Sequence, residues 1–145
     1  MIEILKYSDK DFDKWNEFLN SSKNSTFLFN RGFLEYHSDI FVDFSLLVFE
    51  NEKIVGLLPA NIDVQGNVLS HQGLSYGGFI FRRNEKLNNI SKYIYSTLKF
   101  LSENNIDTLF YKSFPRFYNN LGSDEVDYNS FILKANLYRR DSALV

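Results

Sequence analysis

Apolar residues recur along this chain in two rhythms. Phe12, Trp15, Phe18 and Leu19 form one set, and Leu87, Ile90, Ile94, Leu98 and Leu101 form another. Steps of three and four place each set on one face of a helix. Ser8 offers a cap to the first, with Asp9 and Asp11 in the opening turn, where carboxylates favour the helix dipole. Asn84 offers a cap to the second, and Asn104-Asn105 ends it. A further short helix is predicted over residues 31–38. The remaining apolar residues cluster in short runs that read as strands: 2–7, 44–49, 54–62, 68–71, 79–81 and 106–111, with 130–135 and 138–145 as strands or strand-like segments. Glu50-Asn51-Glu52-Lys53 and Gln65-Gly66-Asn67 are polar turns short enough to force antiparallel neighbours. Gly56 and Pro59 mark bulge or edge points inside the run 54–62. Residues 115–121 suggest a helical turn, and Asp124-Glu125 a solvated loop.

A helix between two strands implies a crossover and a parallel pair. The element order is therefore β-α-α-β-β-β-β-α-β-(α)-β-β. This predicts an α/β fold with a mixed sheet, an antiparallel front half, a parallel βαβ crossover and helices on both faces. Neither a repeat nor a linker interrupts the pattern, so residues 1–145 read as a single domain, a common size for one core.

Composition narrows the function classes. The 15 Phe and 9 Tyr bring aromatics to 17%, which predicts a core thick with rings. The net charge is −2, with no basic run longer than a pair, so the basic face that DNA binding needs is missing. With no Cys in the chain, thiol nucleophiles, disulfides and Cys-based zinc sites are excluded. The opening residues are too charged for a signal peptide and no apolar stretch is long enough to span a membrane. The expected compartment is the cytoplasm.

Several phrases resemble the GNAT acyltransferases, and in particular the first lobe of their Fem-type, double-lobed members. Thr26-Phe27-Leu28-Phe29 before a short helix resembles the segment that precedes their first hairpin. The hairpin over 46–63, with Lys53-Ile54-Val55-Gly56-Leu57-Leu58-Pro59-Ala60, is similar to their second and third strands, and Gly73-Leu74-Ser75-Tyr76-Gly77-Gly78 to the link that follows. Pro115-Arg116-Phe117-Tyr118, Asp124-Glu125, Phe131-Ile132-Leu133 and Tyr138-Arg139-Arg140-Asp141-Ser142 resemble the end of that lobe. The resemblance implies an N-acyltransferase that takes an acyl group from acetyl-CoA or another acyl-CoA, or an aminoacyl group from tRNA, and passes it to a small-molecule or peptide amine. It also implies a partner, either a second GNAT lobe or a second copy in a homodimer. The alternative is a degenerate lobe that binds substrate or a partner chain without catalysis.

Such transfer needs an anion-binding helix start for the pyrophosphate, a strand amide for the thioester oxygen, a base for the amine and an acid for the thiolate. The family's pyrophosphate loop reads Gln/Arg-x-x-Gly-x-Gly/Ala. Here the helix opens with Phe81-Arg82-Arg83-Asn84-Glu85-Lys86 and has no glycine. Gly77 and Gly78 lie before the preceding strand instead. They remain the candidate cofactor-binding residues together with Arg82 and Arg83, against readings as a bulge with positive φ and a solvated helix start. Gln72, Ser75 and Tyr76 are the candidate substrate loop. Tyr118 is the candidate acid, against simple packing, and Glu35 the candidate base. His37 and His71 have no metal-ligand spacing and read as surface or strand histidines; no metal is expected. Arg139-Arg140-Asp141 is the candidate for charge pairing at a lobe interface.

Overall fold

A computed structural model describes residues 1–36 and 38–142. His37 and the last three residues of the predicted segment 138–145 lie outside the described residues.

The chain begins with β1, Ile2–Lys6. The backbone N–H and the hydroxyl of Ser8 both donate to Asp11 Oδ2, at 3.2 and 2.8 Å, and lead through a tight turn into α1, Phe12–Asn20. The short helix α2, Arg31–Glu35, is capped by Asn30, whose side chain accepts from the Gly32 amide. The strands β2, Val42–Asp43, β3, Leu46–Glu50, and β4, Lys53–Leu58, follow. Next come β5, Asn61–Ile62, β6, Val68–Leu69, and β7, Ile80–Phe81. The long helix α3, Leu87–Glu103, leads to β8, Leu109–Phe110, and α4, Glu125–Ile132, comes last.

The strands make two four-stranded sheets, ordered β1-β3-β4-β7 and β2-β5-β6-β8. All pairings are antiparallel except β6 with β8, which is parallel. The predicted run 54–62 is thus one path cut in two. Pro59 has no N–H for a ladder, and at Ala60 the amide turns to Ser45 Oγ at 3.2 Å while its carbonyl accepts from Phe44 N–H at 2.8 Å. The predicted bulge is beside Gly56: Val48 faces Gly56 but Phe49 faces Ile54.

Helices cover both faces of the first sheet. On one side Leu46, Val48, Val55, Leu58 and Phe81 pack with Ile90, Tyr93 and Ile94 of α3. On the other, Leu47, Leu57 and Ile80 pack with Trp15, Phe18, Phe29 and Leu34. Alternation along β3 sends successive side chains to opposite faces, so a strand between two helical layers must be apolar at every step.

Three expectations are corrected. The parallel partner of β8 is β6, not the strand that leads directly into α3. Lys86, not Asn84, stands at the cap position of α3. The segment predicted as a loop at Asp124-Glu125 and a strand over 130–135 is α4. Its first turn carries Glu125 and Asp127, where the dipole favours them. Val126 packs into the α3 core, and Asn129 Nδ2 donates to the Glu125 carbonyl at 2.7 Å. Burial against α3 outweighs the β-leaning sequence Phe131-Ile132-Leu133. Among the described residues no strand follows β8, and none of their helices is long and apolar enough to cross a membrane.

Leu57→Ala tests the two-faced core. The side chain is fully buried, so its truncation is expected to cost about 2–5 kcal/mol, read from the midpoint of urea unfolding.

Candidate functional site

The site forms where one strand path is interrupted. Asn61 of β5 faces Leu69 of β6, and Leu57 of β4 faces Ile80 of β7. Residues 70–79 therefore leave the sheet and return to it a few residues along the same antiparallel partner, and β8 stands beside their exit.

A left-handed residue and four sets of contacts shape this excursion. His71 has a left-handed φ of 64°. Asn61 accepts from the Gln72 amide and donates to Gln72 Oε1, both at 2.8 Å. The Lys112 amide donates to Ser70 Oγ at 2.7 Å, and its Nζ donates to the carbonyls of His71, Gln72 and Leu74 at 3.2, 3.3 and 2.6 Å. A Cβ on Gly77 would strike the Ser70 carbonyl, and one on Gly78, with φ 103°, would strike the Tyr111 hydroxyl. Phe79 N–H donates to that hydroxyl at 3.2 Å, and burial raises the Tyr111 pKa. Burial, then the like charge of Arg139, lowers the pKa of Lys112; its three carbonyl partners favour the charged form.

Gln72 and Ser75 are exposed at the tip. Tyr76 is half-buried: its hydroxyl meets Thr26 Oγ1 at 3.0 Å, and its ring stands 5.0 Å from that of Tyr118 and 5.2 Å from that of Phe114. The fold therefore brings the candidate acid Tyr118, which is 46% exposed, to the candidate substrate loop.

Glu35 belongs to a different cluster. Its Oε1 accepts from the Tyr7 hydroxyl at 2.9 Å and faces Arg31 Nε at 3.4 Å. Arg31 is 2% exposed, lies over the Tyr7 ring at 3.5 Å, and also meets Asp43 at 3.3 Å and Ser45 Oγ at 3.1 Å. Burial and the hydrogen bond to Glu35 push the Tyr7 pKa up to about 12.

The start of α3 is exposed at Lys86, Leu87 and Asn88, with charged side chains beside it. Arg82 donates from Nη2 to the Ile54 carbonyl at 2.9 Å, whereas the Arg83 side chain is exposed. Just ahead of the helix stands Lys23, 3% exposed, donating to Glu125 Oε1 at 2.6 Å and to the Glu85 carbonyl at 3.3 Å. Burial pushes the Glu125 carboxyl up, but hydrogen bonds from Lys23 and Ser123 outweigh this and leave its pKa below 4.5. Among the described residues no group of three His, Asp or Glu side chains could hold a metal ion.

Lys23, Arg31, Asn61 and Lys112 went unnoticed in the sequence. Each is a polar residue that reads as solvated until the fold buries it, or in the case of Lys112 half-buries it, and no local pattern marks it.

No family model and no curated protein matches this sequence. Solved structures do. The structure of AAC(6')-Iy with the bisubstrate analogue CoA-S-monomethyl-acetylneamine aligns over 100% of this chain and 97% of its own, at 10% identity and a TM-score of 0.60. A ribosomal-protein-alanine N-acetyltransferase from Brucella melitensis aligns over 99% and 97%, at 13% identity and 0.57. A GNAT family acetyltransferase from Staphylococcus aureus aligns over 99% and 98%, at 14% identity and 0.54. This chain has the GNAT fold. The long helix α3 and a parallel strand pair were expected from the apolar pattern, though not that β8 would pair with β6, and the opening of α3 without glycine departs from the resemblance.

The Lys23–Glu125 pair ties α4 to the segment that follows α1. Glu125→Gln leaves a buried ammonium without its carboxylate and is expected to cost about 1–3 kcal/mol in thermal or urea unfolding. A carboxyl with a depressed folded pKa contributes stability that is present in full above the unfolded value of 4.5 and is lost as pH falls through the folded value. The parent should therefore lose more stability than Glu125→Gln on acidification below pH 4.5.

Proposed function

We propose that this chain is a GNAT-type N-acyltransferase that moves an acyl group from acyl-CoA to an amine. The observation that carries this reading is the end-to-end alignment with acetyltransferases, one of them holding a CoA bisubstrate analogue. In the proposed reaction the neutral amine nitrogen attacks the thioester carbonyl. A C–N bond forms, the C–S bond breaks, the nitrogen loses its proton and the departing thiolate takes one up. Tyr118 is assigned as the acid, because it is partly exposed and stacks on Tyr76 at the base of the 70–79 excursion. The loop residues Gln72, Ser75 and Tyr76 are assigned to the amine. Glu35 is the weaker assignment as base, since Tyr7 and Arg31 already occupy its oxygen. Aminoacyl transfer from tRNA and the Fem-type lobe rest on the sequence resemblance alone, and the net charge of −2 does not favour them.

One observation favours a second reading, a lobe of the same fold that binds substrate or a partner without transferring acyl groups. The opening of α3 has no glycine, so the loop that holds the pyrophosphate in this resemblance is missing from the helix start. A Cβ on Gly77 would meet Ser70 and one on Gly78 would meet Tyr111, so close packing accounts for both glycines without a phosphate. Exposed Phe131, Leu137 and Tyr138 would give such a lobe an apolar surface to cover.

A thermal melt with acetyl-CoA, followed by a thiol-release assay over a panel of amines, separates the two readings. Binding at about 100 times Kd adds roughly 2.7 kcal/mol and should raise Tm by about 5–10 °C. A shift with thiol release supports transfer. Neither shift nor release at millimolar acetyl-CoA, with a defined dimer or complex in light scattering, supports the non-catalytic lobe.

A further inference from the structure

A lysine at the end of a strand ordinarily extends its ammonium to water or to a carboxylate. Lys112, half-buried, turns its ammonium back onto the main chain instead. All three of its donors meet main-chain carbonyls, those of His71, Gln72 and Leu74. Carbonyls of neighbouring residues in a tight turn repel one another when their oxygens converge, so a cation among them stabilises that turn through charge-assisted hydrogen bonds. The lysine is itself fixed, because its amide donates to Ser70 Oγ at 2.7 Å. Both ends of one residue therefore grip the exit of the 70–79 excursion. The Gln72 and Leu74 amides are held only by Asn61 Oδ1 at 2.8 Å and by the His71 carbonyl at 3.2 Å. The path between His71 and Leu74 has no ladder of its own.

We infer that Lys112 is a positioning residue: its ammonium sets the conformation of residues 71–76 and so fixes where Gln72, Ser75 and Tyr76 stand. For those residues as the amine-binding loop, the inference rests on the acyl-transfer reading; for the loop's conformation it stands alone. The three carbonyls form a nest shaped to a primary ammonium. A nest emptied by truncation of the lysine should accept a small alkylammonium in its place. Neither an uncharged chain of the same length nor a quaternary ammonium, which has no N–H, would do so.

Hydrogen exchange of the parent, Lys112→Met, Lys112→Arg and Lys112→Ala tests this, read at the amides of Gln72 and Leu74 with the core amides of β3 and β4 as the control. Met and Ala should speed exchange at the loop by roughly tenfold or more while the core amides hold, and Arg should retain part of the protection. Propylammonium should restore protection in the Ala variant, and tetramethylammonium should not. Loop exchange unchanged in a folded Lys112→Met would overturn the inference. So would rescue by propanol as effective as that by propylammonium, because packing rather than charge would then hold the loop. If the Met and Ala variants fail to fold, Lys112→Arg decides, with parent-like core amides and faster loop exchange expected. Where the parent turns over an amine, Lys112→Met should raise KM for the amine more than it lowers kcat. Turnover absent from the parent would sink the acyl-transfer reading and leave the exchange result to judge the lysine.

Discussion

β3 and β4 run between two layers of helix, and the rest of the molecule is arranged to keep both of their faces dry. Leu46, Leu47, Val48, Leu57 and Leu58 are all fully buried along these two strands. Neither strand can turn a polar face to water, so charge and hydrogen-bonding chemistry are displaced to the rims. Polar groups that enter the first sheet are matched by specific partners. The Asn24 side chain donates to the Phe79 carbonyl at 2.7 Å and accepts from the Phe81 amide at 3.0 Å, completing β7 as a neighbouring strand would. Ser45 does similar service where Pro59 ends the ladder. A buried amide left without such a partner would cost about as much as a lost hydrogen bond.

That division explains what could be read from the sequence. The helix faces of α1 and α3, the hairpin joining β3 to β4 and the mixed sheet follow from periodicity, because burial writes a pattern into many residues at once. The break at Pro59 was legible from its missing donor. α4 was not: Phe131-Ile132-Leu133 has strand-like composition, and the packing of Val126 on the α3 core comes from residues far away in the chain. The pairing of β8 with β6 was equally hidden, since a crossover does not say which strand it passes beside.

The candidate site is a more limited case. The glycines at 77 and 78 announced an irregular path, and that path exists, with Tyr76 and Tyr118 stacked at its base. The residues that determine its shape, Asn61 and Lys112, come from other elements and carry no local signature. The same holds at the opening of α3. There the missing glycines were plain in the sequence, whereas the Lys23–Glu125 ion pair beside the helix start joins residues far apart in the chain. Single side chains that act across long separations leave no periodic trace, and this is why the scaffold was more readable than the chemistry it holds.

The dry strands have a consequence for the chain before it folds. Leu46-Leu47-Val48-Phe49 and Ile54-Val55-Gly56-Leu57-Leu58 are short, uncharged, β-prone segments, the composition from which cross-β stacks assemble. Asp43 precedes the first, and Glu50, Glu52 and Lys53 fill the turn between the two. Charges in those places act as gatekeepers that repel a second copy while the strands are still bare. The hairpin turn thus has a duty in the unfolded ensemble as well as in the sheet: it keeps the most adhesive part of the chain from finding its own kind before α1 and α3 close over it.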